Sequence, residues 1–171
     1  MKFEIPIVET ERLRLRAFRE DDLDAYAAMS ADAEVMRFIG TGVTLDRAGT
    51  WRQMAGINGH WTLRGRGMWA LERKSDGALL GRVGLIDPPD WPNLELGWLL
   101  GRSAWGQGYA REAARTALDW TRRTQPPQRL VSFIRPGNER SVRVALALGA
   151  RREADAELLG MPVEVYVHAA G

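Results

Sequence analysis

Trp105-Gly106-Gln107-Gly108-Tyr109-Ala110 is the stretch whose reading decides the fold of this 171-residue chain. A strand-like run, Leu94 to Leu100, precedes it, and an alanine-rich helical pattern follows from about Gly108 to Arg123. Gly106 and Gly108 allow a tight turn in which successive backbone N–H groups face one point, and the helix behind adds the positive end of its dipole. Strand, glycine turn and helix in that order make a socket for phosphate. Glycine pairs also occur in plain strand-to-helix turns, so the flanking sequence carries the decision.

Upstream, Arg12 to Phe18 alternates polar and apolar residues, the period of a strand with one buried face. Glu20-Asp21-Asp22 supplies acids for a helix first turn, and Leu23, Tyr26 and Ala27 recur at helical spacing. After a Gly40-Thr41-Gly42 turn, Leu45 to about Leu63 reads as a second helical region. Gly49, Gly56 and Gly59 put its continuity in doubt, and two short helices are an open reading. Met68 to Arg73 and Leu79 to Ile86 flank Ser75-Asp76-Gly77 and predict an antiparallel hairpin. The proline-rich segment Asp87 to Pro92 cannot continue a ladder and is a loop.

Downstream, Gln128 to Arg135 is a strand candidate. Pro136-Gly137-Asn138 then breaks the chain and sets Asn138 as the N-cap of a helix reaching Leu148, closed by Gly149. Residues 150–154 and Val163 to His168 complete the sheet. The order predicts an α/β fold: a twisted, mixed, mostly antiparallel sheet of about seven strands with helices on both faces, in one domain spanning 1–171.

Composition narrows the chemistry. There are no cysteines and only two histidines, His60 and His168, which removes disulfides, thiolate nucleophiles and thiolate metal sites and leaves little for a metal centre. His168 reads as an ordinary surface side chain. The net charge is +2, and only two of the 24 basic residues are lysines, Lys2 and Lys74. The arginines are scattered among acids, which reads as coding bias, not as a nucleic-acid footprint. No apolar stretch is long enough to span a bilayer, and Met1-Lys2-Phe3-Glu4-Ile5-Pro6 lacks a signal-peptide core, so a cytoplasmic protein without membrane partners is expected.

Four motifs in order complete the pattern: Glu9-Thr10-Glu11-Arg12-Leu13, Leu94-Glu95-Leu96-Gly97-Trp98, the hexapeptide itself, and Asn138-Glu139-Arg140-Ser141 followed by Leu148-Gly149-Ala150. With these the chain resembles the GCN5-related N-acetyltransferases (GNAT), and within them the branch that acetylates ribosomal-protein amino termini. The resemblance covers most of the chain. It implies acetyl-CoA as co-substrate, no metal, and direct transfer to an amine acceptor. The acceptor would be a protein amino terminus or a small molecule such as a polyamine, an amino acid or an aminoglycoside. A non-catalytic acyl-CoA sensor is the alternative. Many such relatives form homodimers through sheet edges.

The same resemblance assigns residues. Trp105, Gly106, Gln107, Gly108, Tyr109 and Ala110 would hold the cofactor's pyrophosphate on backbone amides. Trp98, Leu99 and Leu100 would pair with the pantetheine arm like an added strand, with an N–H near Leu99 polarising the thioester carbonyl. Asn138 and Ser141 would contact the arm. The tyrosine that many relatives place on the helix after strand five is missing, and Ala145 stands in its place. Ser141 is therefore the candidate hydrogen-bond donor to the leaving thiolate. Glu95, on the face shared with Gly97 and Leu99, is the candidate base, because an amine protonated at neutral pH must lose a proton before it attacks. Trp91 and Asp90 in the proline-rich loop, and Trp51 and Arg52 on the second helical region, are candidate acceptor contacts.

Overall fold

The computed structural model describes residues 4–170; of the amino-terminal stretch read above, Met1 to Phe3 lie outside it. Eight strands form one sheet in the order β1-β2-β3-β4-β5-β6-β8-β7. These are β1 (Val8–Glu9), β2 (Leu13–Arg16), β3 (Met68–Arg73), β4 (Leu79–Ile86), β5 (Leu94–Leu100), β6 (Leu130–Ile134), β7 (Arg151–Leu158) and β8 (Met161–His168). All neighbours are antiparallel except β5 and β6, which pair in parallel, the chain crossing between them through a helix. The helices are α1 (Leu23–Ala31), α2 (Ala33–Met36), α3 (Arg47–Arg64), α4 (Tyr109–Thr124) and α5 (Glu139–Ala147).

Each sheet face has its own core. Leu94, Leu96 and Leu100 of β5 pack with Ala113, Ala114, Ala117 and Leu118 of α4, where small side chains bring the helix close. On the opposite face Leu99 joins Met68 and Ala70 against Tyr26, Val35, Met36, Met54 and Ile57 from α1, α2 and α3. The period-two division of β5 read from sequence is therefore the division between two cores.

The structure settles or extends the sequence reading in three places. α3 is one helix despite its glycines, because Thr50, Met54, Ile57 and Trp61 form a continuous buried stripe. Each interior glycine costs about 1 kcal/mol relative to alanine, while burying each large apolar side chain contributes about 1.5–3 kcal/mol. Asp46 caps the helix by accepting from the Gly49 N–H at 2.7 Å. To the about seven strands expected, the sheet adds an eighth, β1, which pairs with β2 over two residues too few to show a period. β7 runs on to Leu158, and its hairpin with β8 turns at Leu159 (φ 52°) and Gly160 (φ 72°). Leucine in a left-handed turn position hides the hairpin from a reading that looks for Asn-Gly or Asp-Gly. As an edge strand with exposed, charged residues, β7 also lacks the apolar alternation of a half-buried strand.

Candidate functional site

β5 and β6 begin side by side, Leu94 opposite Leu130 and Glu95 opposite Val131, and then separate. β4 stays paired with β5 from Glu95 to Leu100. Beyond Glu95, then, one edge of β5 is bound and the other faces a split in the sheet. Gly101 N–H donates to Leu80 O at 2.8 Å, and antiparallel alternation carried back along this register turns the N–H groups of Leu99, Gly97 and Glu95 toward β4. Those of Leu100 and Trp98 face the split, while that of Leu96 faces β6 where the two strands still pair. Near Leu99, then, the Leu99 N–H itself is used in the ladder, and its neighbours Trp98 and Leu100 carry the open ones.

Two hollows meet at the split. One, of about 380 Å³, lies along Trp98, Leu99 and Leu100 and extends to the glycine turn. The other, of about 230 Å³, contains Glu95, Arg82 and Trp91. Trp98, Asn138 and Ser141 line both.

The turn has the conformation its glycines permit, with φ of 73° at Gly106 and 81° at Gly108, directly before α4. Arg12 holds it from outside: its Nη1 donates to Gln107 O at 3.0 Å, and its guanidinium pairs with Glu112 of α4 at 2.7 Å. Trp105, Gly106, Gly108, Tyr109 and Ala110 line the larger hollow, but Gln107 does not. The Gln107 carboxamide turns back to donate to Ser103 O at 2.8 Å, so its part in the turn is backbone only.

Arg111, Arg140 and Arg143 also line this hollow, against one carboxylate, Glu34. The Arg140 guanidinium lies 3.5 Å from the centre of the Trp105 ring, which fixes its plane. Reading the arginines as scattered missed them; their common position appears only once α5 is set beside the turn.

Ser141 sits in the first turn of α5, behind the Asn138 cap. Its Oγ accepts from Trp98 Nε1 at 3.2 Å and from Asn138 Nδ2 at 3.0 Å. A hydroxyl has two acceptor lone pairs and one proton. With both lone pairs engaged, the Ser141 O–H is left to donate into the hollows. Ala145 is fully buried against Ile134, Ala150 and Tyr166, and so faces the core and not the site.

Glu95 is buried and accepts from Trp91 Nε1 at 2.9 Å. Burial pushes its carboxyl up to about 7, while the Trp91 hydrogen bond, the positive charge of Arg82 and the Phe133 backbone pull it back. The carboxyl therefore exchanges its proton near neutral pH, the condition for an effective base. This has a cost in stability. Below the unfolded value near 4.5 the side chain is neutral in both states; between 4.5 and about 7 the unfolded chain ionises first, and by the upper end of that range folding has become less favourable by roughly 3 kcal/mol. In thermal melts, Glu95→Gln is thus expected to gain stability relative to the parent between pH 5 and pH 8, and a difference constant across pH would contradict that burial effect.

The other candidates divide. Trp91 lines the smaller hollow, whereas Asp90, Trp51 and Arg52 line neither. Trp51 is exposed and donates to Glu20 at 3.2 Å. His168 is not a surface residue: it is buried, its Nε2 is 2.8 Å from Ser132 Oγ, and desolvation, with Arg122 and Arg115 nearby, pulls it down to about 4. It is neutral at pH 7. Leu158 and Leu159 of the β7–β8 hairpin reach the smaller hollow, as do Phe38 and Ile39 after α2, and none of these carried a sequence signal.

Residues 12–151 match the family model for the acetyltransferase (GNAT) domain. The chain belongs to the GNAT acetyltransferase family. A GNAT N-acetyltransferase fold is what the split sheet and glycine turn describe. The uncharacterized Bacillus subtilis protein YkkB is 30% identical over 166 residues, covering 92% of each chain. An acetyltransferase structure from Agrobacterium tumefaciens superposes with a TM-score of 0.85 at 32% identity, covering 99% of this chain and 97% of that one. RimL, a ribosomal alpha-N-protein acetyltransferase solved in complex with coenzyme A, shares the GNAT fold at a TM-score of 0.78 and 19% identity, over 95% and 97% of the two chains. Among the described residues no helix is long and apolar enough to cross a membrane.

Proposed function

We propose that this GNAT protein transfers an acetyl group from acetyl-CoA directly to a primary amine, the two substrates meeting where the hollows join. The observation that carries this reading is the junction itself: a positive-φ glycine turn at one end of the split, a buried carboxyl near neutrality at the other, and a serine hydroxyl between them. The GNAT family uses acyl-CoA, and coenzyme A is bound in the RimL neighbour.

In this reading the turn amides and the α4 dipole take the diphosphate, and Arg111, Arg140 and Arg143 supply charge around it. The open edge of β5 pairs with the pantetheine amides. Glu95 accepts one proton from the ammonium form of the acceptor, freeing the nitrogen lone pair to attack the thioester carbon. The N–H groups of Trp98 and Leu100 that face the split stabilise the oxyanion. As the carbon–sulfur bond breaks, the electron pair leaves on sulfur, where the Ser141 O–H donates a hydrogen bond; solvent takes the second amine proton and reprotonates the thiolate. No cysteine is present to carry the acetyl group.

Ser141→Ala is expected to lower kcat by about tenfold to 100-fold, the loss of one transition-state hydrogen bond, while leaving acetyl-CoA affinity within a few-fold. A loss confined to affinity would assign Ser141 to binding. The reading as a whole is tested by calorimetric titration with acetyl-CoA together with intact-mass measurement. One site per chain and no acetylated protein in the absence of an amine support direct transfer. An acetyl adduct, or no binding, contradicts it.

A further inference from the structure

We infer that the acceptor amine carries a carboxylate, and that Arg82 in the smaller hollow receives it. This rests on the transferase reading above and names the substrate class of the same site.

Arg82 projects from β4, opposite Leu99 of β5, on the face that bears Glu95. Its surroundings do not match its charge. Nη1 points at the Met68 thioether at 2.8 Å, a weak acceptor. Nε is buried with no hydrogen-bond partner. The Tyr26 phenol, which donates to Gln53 Oε1 at 2.6 Å, stands within hydrogen-bonding reach of the guanidinium as a neutral partner, and the Glu95 carboxyl lies close enough to feel its charge. Among the described residues no carboxylate lies within ion-pair distance of Arg82. That contrasts with Arg16, which the same fold buries between Asp22 at 2.8 Å and Glu72 at 2.6 Å. Where this chain buries a guanidinium for structure, it provides carboxylates; at Arg82 it provides a hollow.

The charged side chains lining that hollow are Arg82, Arg135 and Glu95. Among the described residues Arg135 has one long backbone contact, Arg37 O at 3.5 Å. Glu95 is partly protonated at neutral pH and becomes neutral when it takes the acceptor's proton. The lining is therefore net positive, which disfavours a polyamine or an aminoglycoside and favours an anion beside the reacting nitrogen. Its 230 Å³ is also below the ~300–1,000 Å³ of sites that enclose drug-sized ligands. An amine with a carboxylate, held by the planar guanidinium while Glu95 addresses its nitrogen, satisfies the unpaired donors and the charge. The carboxylate comes either from a free amino acid or from an acidic residue near a peptide amino terminus.

The test uses the full chain with saturating acetyl-CoA. Acceptors are glycine, methionine and glutamate, each beside its carboxamide and its decarboxylated amine, plus peptides with acidic or neutral second residues, and spermidine. Acids are expected to exceed their amides in kcat/KM by about tenfold or more. Arg82→Gln is expected to collapse that ratio through KM, with acetyl-CoA affinity unchanged, and Arg82→Lys to restore part of it. Preference for free amino acids or for acidic peptides identifies the source of the carboxylate. Equal turnover of acids and amides, preference for spermidine, or a ratio unchanged in Arg82→Gln overturns the inference and leaves the transferase reading intact. If no amine is acetylated, thermal shifts separate the two: acids that stabilise the parent but not Arg82→Gln keep the anion pocket and sink the transferase, and no shift sinks both.

Discussion

Gly108→Glu is expected to weaken acetyl-CoA binding by at least about 100-fold in a protein that still folds. Two effects combine. Gly108 adopts φ 81°, where a side chain costs roughly 1–2 kcal/mol, and a Cβ there stands 3.4 Å from Arg12 Nη2, the residue that braces the turn. The larger effect is electrostatic. A carboxylate at the start of α4 occupies the favourable potential that the diphosphate would use, and repels it besides. Gly106→Ala is the informative companion: its φ is 73° but no protein atom lies within 4 Å of the added Cβ, so it tests backbone strain without a clash inside the protein and without a new charge. Calorimetry on both variants, with melting temperatures as the check on folding, separates the contributions. Unchanged affinity in folded Gly108→Glu would remove the turn from the binding site.

Glu95→Gln is expected to lower turnover by about 100-fold at pH 7, within the usual range for a positioned general base. The shape of the pH profile matters more than the loss. In the parent protein kcat/KM rises to a plateau as Glu95 ionises with a midpoint of about 7. Without that carboxylate, activity instead follows the supply of neutral amine from solution, so the deficit narrows from pH 7 toward pH 9. The groups acting on Glu95 are the Trp91 N–H, the charge of Arg82 and the Phe133 backbone, all of which the substitution keeps. A deficit equal at every pH would give Glu95 a positioning role in place of proton transfer.

The sheet and its helices were largely legible because local pattern reports structure: Arg12 to Phe18 alternates, Ser75-Asp76-Gly77 marks the turn of the Met68 to Ile86 hairpin, whose strands are buried on both faces, and α4 buries its alanine face. The glycine turn and the Asn138 cap were legible because local backbone geometry restricts which residues fit, whereas Ser141 was singled out only through the family resemblance. What sequence could not show depends on distant elements meeting. Arg82 and Arg135 on β4 and after β6 share a hollow only through the strand order. Leu159 marks no turn by residue type. His168 looks like a tail residue until β8 is seen inserted between β6 and β7, which buries it. The same holds for Trp98 and Leu100: which N–H faces the split follows from register with β4, a relation between strands.

The most direct test of the central claim is amine-dependent release of CoA from acetyl-CoA, followed with mass detection of the acetylated amine, across amino acids, peptides, polyamines and aminoglycosides. The account predicts release only when an acceptor is present, stoichiometric with N-acetylated product, and lost together with binding in Gly108→Glu. Tight acetyl-CoA binding without release for every amine class would contradict it and leave a protein that binds the cofactor without using it.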